Sequence, residues 1–266
     1  MSLVQEALRG VHARPAAAAP RPSVLVIGGG GALGSTALEK LLAGRGFSHV
    51  RVLVTQGFHA AMQGLEPLVV AASDVSAQPV APLGASLALI VFDRARRANG
   101  REDAFVRPLP EQLPALARWL WAGGVRQLVV VLPHSIASLP QALKVGLASL
   151  DEHAVAALGF EHVVFVRSAQ APTDQRAARW LQRLADGALA QLRFMVPQAE
   201  QPVRAQKVAA FVAELALRLA TSAPGTRVAP PELVWQAAQA RDPGALLQAW
   251  LDGRELPPLN APRMRL

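Results

Sequence analysis

The sequence predicts an α/β fold: a doubly wound parallel sheet with helices on both faces and a small C-terminal elaboration. Three observations carry this expectation. Short all-apolar runs such as Val24-Leu25-Val26-Ile27, Leu87-Ala88-Leu89-Ile90-Val91-Phe92 and Leu128-Val129-Val130-Val131-Leu132 suit strands buried on both faces. Segments with apolar residues at helical spacing separate these runs, the alternation that parallel crossovers require. Four consecutive glycines, Gly28-Gly29-Gly30-Gly31, join the first strand to the first helix.

Composition bounds the alternatives. The 266 residues are 52% hydrophobic and 17% charged, a balance that excludes a disordered chain and allows a sizeable core. No apolar run approaches the ~20 residues of a membrane-spanning helix. The N-terminus has no long apolar signal core either, so the expected location is cytoplasmic. The chain has no cysteine, which excludes disulfides and thiolate chemistry, and no metal site is expected. The net charge is +8, but arginines such as Arg94, Arg118, Arg126 and Arg176 are scattered along the chain. A nucleic-acid partner would need a concentrated basic face, so none is expected.

Taken in order, residues 1–22 form an N-terminal tail. Leu3, Val4, Ala7, Leu8 and Val11 share one face if a short helix forms there, followed by a Pro/Ala-rich linker over 14–22, and both a tail and a docked helix stay open. The domain proper spans 23–240. After the strand at 24–27, Leu33, Ala37, Leu38, Leu41 and Leu42 predict a helix from about Ala32. Gly28, Gly31 and Gly34 form G-x-x-G-x-x-G, and Gly29, Gly31 and Gly34 satisfy G-x-G-x-x-G. A strand, a glycine turn and a helix N-terminus in succession make an anion site, where free amides and the helix dipole favour a diphosphate and missing Cβ atoms let it approach. The candidate binding residues here are Gly28, Gly31, Ala32, Leu33 and Gly34. The competing reading is a turn that binds nothing, at a high cost in backbone entropy for so many glycines.

A second strand is expected at 50–55. In a Rossmann-type fold its end faces the adenosine ribose, where an acidic residue favours NAD. Thr55, Gln56 and Gly57 stand there instead, with no arginine for a 2′-phosphate. The expected cofactor is NADP(H) or NAD(H), with a lean to NADP(H) from the basic balance. Further strands are expected at 68–72, 87–92, 128–132 and 163–166. Phe92, at the end of the fourth, lies on the path of the cofactor's ribose and phosphates. The loop that follows, Asp93-Arg94-Ala95-Arg96-Arg97, offers a phosphate-facing arginine or a merely solvated charged loop. Helices are expected at 113–121, closed by Gly123-Gly124, and at about 139–158, 173–192, 203–220 and 231–240. A substrate-side elaboration is expected over about 168–202, and a C-terminal tail over 241–266, rich in Pro and Arg from Asp252 onward.

Several stretches in this order resemble the extended and atypical short-chain dehydrogenase/reductases, in particular the NAD(P)H-binding, NmrA-like and epimerase-like branch. The glycine turn matches that branch's cofactor turn. Ser73-Asp74-Val75 sits where the family has an acidic residue near the adenine, which marks Asp74 as a cofactor residue. Residues 122–131, 158–168 and 201–209 resemble the family's fifth strand, sixth strand and late helix. The resemblance covers about 23–240 and implies an NAD(P)-binding oxidoreductase fold.

The departure lies in the catalytic unit. The family uses a tyrosine and a lysine four residues later, on one helix face. This chain contains no tyrosine; the tyrosine position falls on or near Lys144 and the lysine position on or near Ala148. Three residues remain as candidates for proton transfer: Lys144, His134 and Ser135, the last two at the end of a buried strand. Each has a plain alternative as a solvated residue. Two functions therefore stand open. One is a dinucleotide-binding sensor, scaffold or assembly factor with a protein partner. The other is an NADPH-dependent reductase or isomerase of a small organic substrate with Lys144 or His134 as proton donor.

Overall fold

The computed structural model describes residues 21–57, 63–71, 81–93, 101–134, 149–169 and 203–256. Its centre is a seven-stranded, wholly parallel sheet built from β1 (Val24–Ile27), β2 (Val50–Val54), β3 (Leu65–Val69), β4 (Leu87–Val91), β5 (Gln127–His134), β6 (His162–Ala169) and β7 (Gly225–Ala229). The order across the sheet is β3-β2-β1-β4-β5-β6-β7. The chain winds outward from β1 in one direction, then crosses to β4 and winds outward in the other. The carboxyl ends of β1 and β4 thus flank the point where the winding reverses, the place at which open α/β sheets bind ligands.

Among the described residues the α-helices are α1 (Ala32–Ala43), α2 (Leu113–Ala122), α3 (Leu150–Ala156), α4 (Ala205–Leu219), α5 (Pro231–Gln239) and α6 (Pro243–Leu251). Strand side chains alternate between two cores. Val24, Val26, Val52, Leu87 and Leu89 pack with α1, α4, α5 and α6, whereas Leu25, Ile27, Leu53, Ala88 and Ile90 pack with α2 and α3. Every residue of β1 and β4 is buried, so these strands need side chains that are apolar on both faces, and their unbroken apolar sequences provide them.

The expected architecture is present, with local differences. β3 begins at Leu65, three residues before the expected start at 68; as an edge strand it tolerates Pro67 and exposes Val69. β5 and β6 run on to His134 and Ala169, beyond the expected ends at 132 and 166. The helix expected over 139–158 does not pass through Ser149. That residue is extended, and its hydroxyl caps α3 by accepting the Glu152 N–H at 3.2 Å. β7 and α6 were not expected. The segment expected as a tail from 241 opens with α6, whose Leu246, Leu247 and Leu251 are buried in the α4 side of the core. The expected N-terminal helix and the expected helix at 173–192 lie outside the described residues.

Candidate functional site

The site is set by register. Ile27 of β1 pairs with Ile90 of β4, so the next residue of each strand, Gly28 and Val91, are neighbours where β1 ends. Gly28 turns the chain with φ of +89°, and a Cβ there would stand 2.1 Å from the Val91 carbonyl oxygen. Gly31 is the N-cap of α1, with φ of +92°. One turn into the helix, a Cβ on Gly34 would stand 1.9 Å from the Gly28 carbonyl oxygen. Glycine at 28 and 34 is thus what allows α1 to start directly on the end of β1, aiming its N-terminus at the crevice.

That N-terminus already has a partner. The Leu33 N–H donates to Oδ2 of Asp93 at 2.7 Å, across 60 residues of sequence. Asp93 follows β4 by two residues, and the β1–β4 pairing brings its carboxylate over the turn. Gly31 makes room for it, since a Cβ there would lie 2.8 Å from the same oxygen. The first turn of α1 has no acidic residue of its own, and Ser35 and Thr36 donate their hydroxyls backwards to the Gly31 and Ala32 carbonyls at 2.6 and 2.7 Å.

A second element covers the carboxyl end of β2. β1 stops pairing with β2 at Val26–Val52, and the chain at 104–106 continues the pairing in its place. Thr55 N–H donates to Ala104 O at 2.7 Å, Val106 N–H donates to Leu53 O at 3.1 Å, and Phe105 forms an antiparallel bridge with Val54. The Thr55 hydroxyl also donates to Ala104 O, at 3.2 Å. The Phe105 ring lies close enough to Gly29 that a Cβ there would be 3.1 Å from its edge.

The residues singled out from sequence are placed as follows. Gly28, Gly31, Ala32, Leu33 and Gly34 come together as expected at the strand-to-helix turn. Thr55 stands at the end of β2 but is engaged by the Ala104 carbonyl. Phe92 faces the α2 side of the core and is 3% exposed, while its N–H donates to Val131 O. The residue that faces the turn from this strand is its neighbour Asp93; Arg94, Arg96 and Arg97, considered as phosphate-facing arginines, lie outside the described residues. His134 is the last residue of β5, paired in register with Ala169. Ser135, Lys144 and Asp74 lie outside the described residues. On the β6 side, Arg167 and Glu152 form a buried ion pair at 2.9 Å that ties α3 to the sheet. Asp93, Phe105 and this pair were not singled out by sequence reasoning. The signal for Asp93 was available: an acid two residues beyond the strand that must neighbour β1 in a doubly wound order.

A parallel sheet reversing beside a glycine-rich strand-to-helix turn defines the Rossmann class of α/β folds. No family model matches the sequence, and no curated protein does. Solved structures similar to this chain include UDP-glucose 4-epimerase from Brucella ovis in complex with NAD, 18% identical over 79% of this chain and 76% of that one, with a TM-score of 0.45. The Bordetella bronchiseptica enzyme WbmH in complex with NAD+ is 15% identical over 90% of this chain and 94% of its own, with a TM-score of 0.42. A Rossmann-fold NAD(P)-binding family protein from Shigella flexneri is 14% identical over 78% and 92%, with a TM-score of 0.45. Among the described residues, no helix is long and apolar enough to cross a membrane.

Proposed function

We propose that this chain binds a nicotinamide dinucleotide with its diphosphate over the β1–α1 turn, and that it works as a dinucleotide-binding sensor, scaffold or assembly factor. The observation that carries this reading is the backbone-on-backbone packing of Gly28 and Gly34, which starts α1 on the end of β1 and turns its dipole towards the crevice. The absence of any tyrosine supports a role without the tyrosine–lysine chemistry of the family that the sequence resembles. The end of β2 carries no carboxylate at Thr55, Gln56 or Gly57, which supports the lean to NADP(H).

A second reading is an NADPH-dependent reductase or isomerase. It is favoured by the extension of β5 to His134, at the carboxyl edge of the sheet. Hydride transfer is the cofactor's own chemistry and asks the protein mainly for positioning, so a donor other than tyrosine is enough.

Titrating NADPH and NADH by their fluorescence, then following NADPH oxidation with a panel of aldehydes and ketones, separates the readings. The first expects saturable binding without turnover. Turnover that disappears in Lys144→Ala or His134→Ala would support the second. No binding of either coenzyme would contradict both.

A further inference from the structure

We infer that Asp93 is the resident anion of the glycine turn: its carboxylate holds the place that a dinucleotide's diphosphate takes, and binding requires it to leave. This rests on the dinucleotide reading above and adds to it a residue that sets affinity. α1 begins on a glycine that has no side chain to cap it and has no acid in its first turn, so the Leu33 N–H and the positive helix end call for an external anion. Asp93 supplies one at 2.7 Å. A charge-assisted bond of this length is a strong one.

The geometry makes the two anions competitors. The Leu33 N–H belongs to the set of amides that a diphosphate over this turn would use, and a second anion beside an ionised carboxylate meets like-charge repulsion. Gly31 serves the present occupant, because any side chain there would collide with Oδ2. Asp93 is half-buried rather than sealed in the core, so its carboxylate has solvent to turn into when it is displaced. The same arrangement explains how an anion-binding turn can keep its helix N-terminus satisfied without a ligand.

The test is calorimetric and fluorimetric titration of the full chain with NADPH and with ADP-ribose. It compares the wild type, Asp93→Ala, which removes the competitor, and Asp93→Asn, which keeps an acceptor for Leu33 without the charge. Thermal melts establish that each variant is folded. The expected result is tighter binding of both ligands to D93A, by about tenfold to a hundredfold, the worth of one charge-assisted hydrogen bond that no longer has to be broken. D93N should gain less than D93A, because its amide oxygen still competes for the same proton. Equal affinity in all three proteins would overturn the inference and leave the dinucleotide reading standing. Weaker binding by both folded variants would also overturn it, since Asp93 would then be shaping the turn for the ligand. No binding of either ligand by the wild type, D93A or D93N, all of them folded, would remove the dinucleotide reading itself.

Discussion

Gly34 shows why a turn of this kind is specified atom by atom. Its α-carbon lies against the Gly28 carbonyl, so an added methyl meets backbone at 1.9 Å and cannot be relieved by a rotamer change. Gly34→Ala should therefore cost about 1–3 kcal/mol of stability, the usual range for overpacking, read as a lower urea midpoint at unchanged slope. The buried pair between Glu152 and Arg167 gives a second residue-scale prediction. Glu152→Ala removes a carboxylate from a guanidinium that is 3% exposed, which should destabilise the fold by about 3 kcal/mol, with Glu152→Gln milder because it keeps an acceptor. His162 gives a third. Burial holds its imidazole below the ordinary value of 6.5; Arg227 adds to that shift and Glu161 opposes it. The unfolded chain therefore takes up this proton first as pH falls. Stability from His162 is whole above 6.5 and declines as pH drops from there towards the lowered value. Denaturant unfolding at about pH 5 and about pH 8 should show this decline in the wild type and a smaller one in His162→Asn. At this scale the glycines could be read from sequence because their spacing is local. Asp93 was harder to see, because its role depends on a contact 60 residues away.

Helices and strands were legible where burial fixes their pattern and obscure where it does not. β1 and β4 are buried throughout and read directly as apolar runs. β3 and β7 are edge strands, and their sequences, Leu65-Glu66-Pro67-Leu68-Val69 and Gly225-Thr226-Arg227-Val228-Ala229, mix polar residues, glycine and proline because each pairs with one strand alone among the described residues. α6 was hidden behind Asp242-Pro243-Gly244, which resembles a turn but is a helix start. Asp242 accepts the Ala245 N–H at 3.0 Å and Pro243 occupies the first helical position. α3 was overextended at its N-terminal side because an apolar pattern does not reveal a break that a capping serine makes. Both caps are testable. Ser149→Ala and Asp242→Ala should each cost about 1 kcal/mol, measured as a drop in melting temperature, and the two losses should add because the caps serve separate helices.

Across the whole molecule, one topological fact organises the rest. The reversal of strand order between β1 and β4 brings a glycine turn, a helix N-terminus and Asp93, two residues beyond β4, together at the carboxyl edge of the sheet. The alternation of buried strands with helices made this architecture readable from the sequence, and the glycine spacing made the strand-to-helix turn readable. What was harder to read was what covers this end of the sheet, the Asp93 carboxylate on Leu33 and the 104–106 segment on the end of β2, because both are long-range contacts that no local periodicity marks. The central claim is that this turn receives a diphosphate. Calorimetric titration of the folded wild-type chain with NADPH and with NADH tests it most directly: the account predicts saturable heat at one site per chain with at least one of them, and an absence of heat with both coenzymes in both the wild type and Asp93→Ala would contradict it.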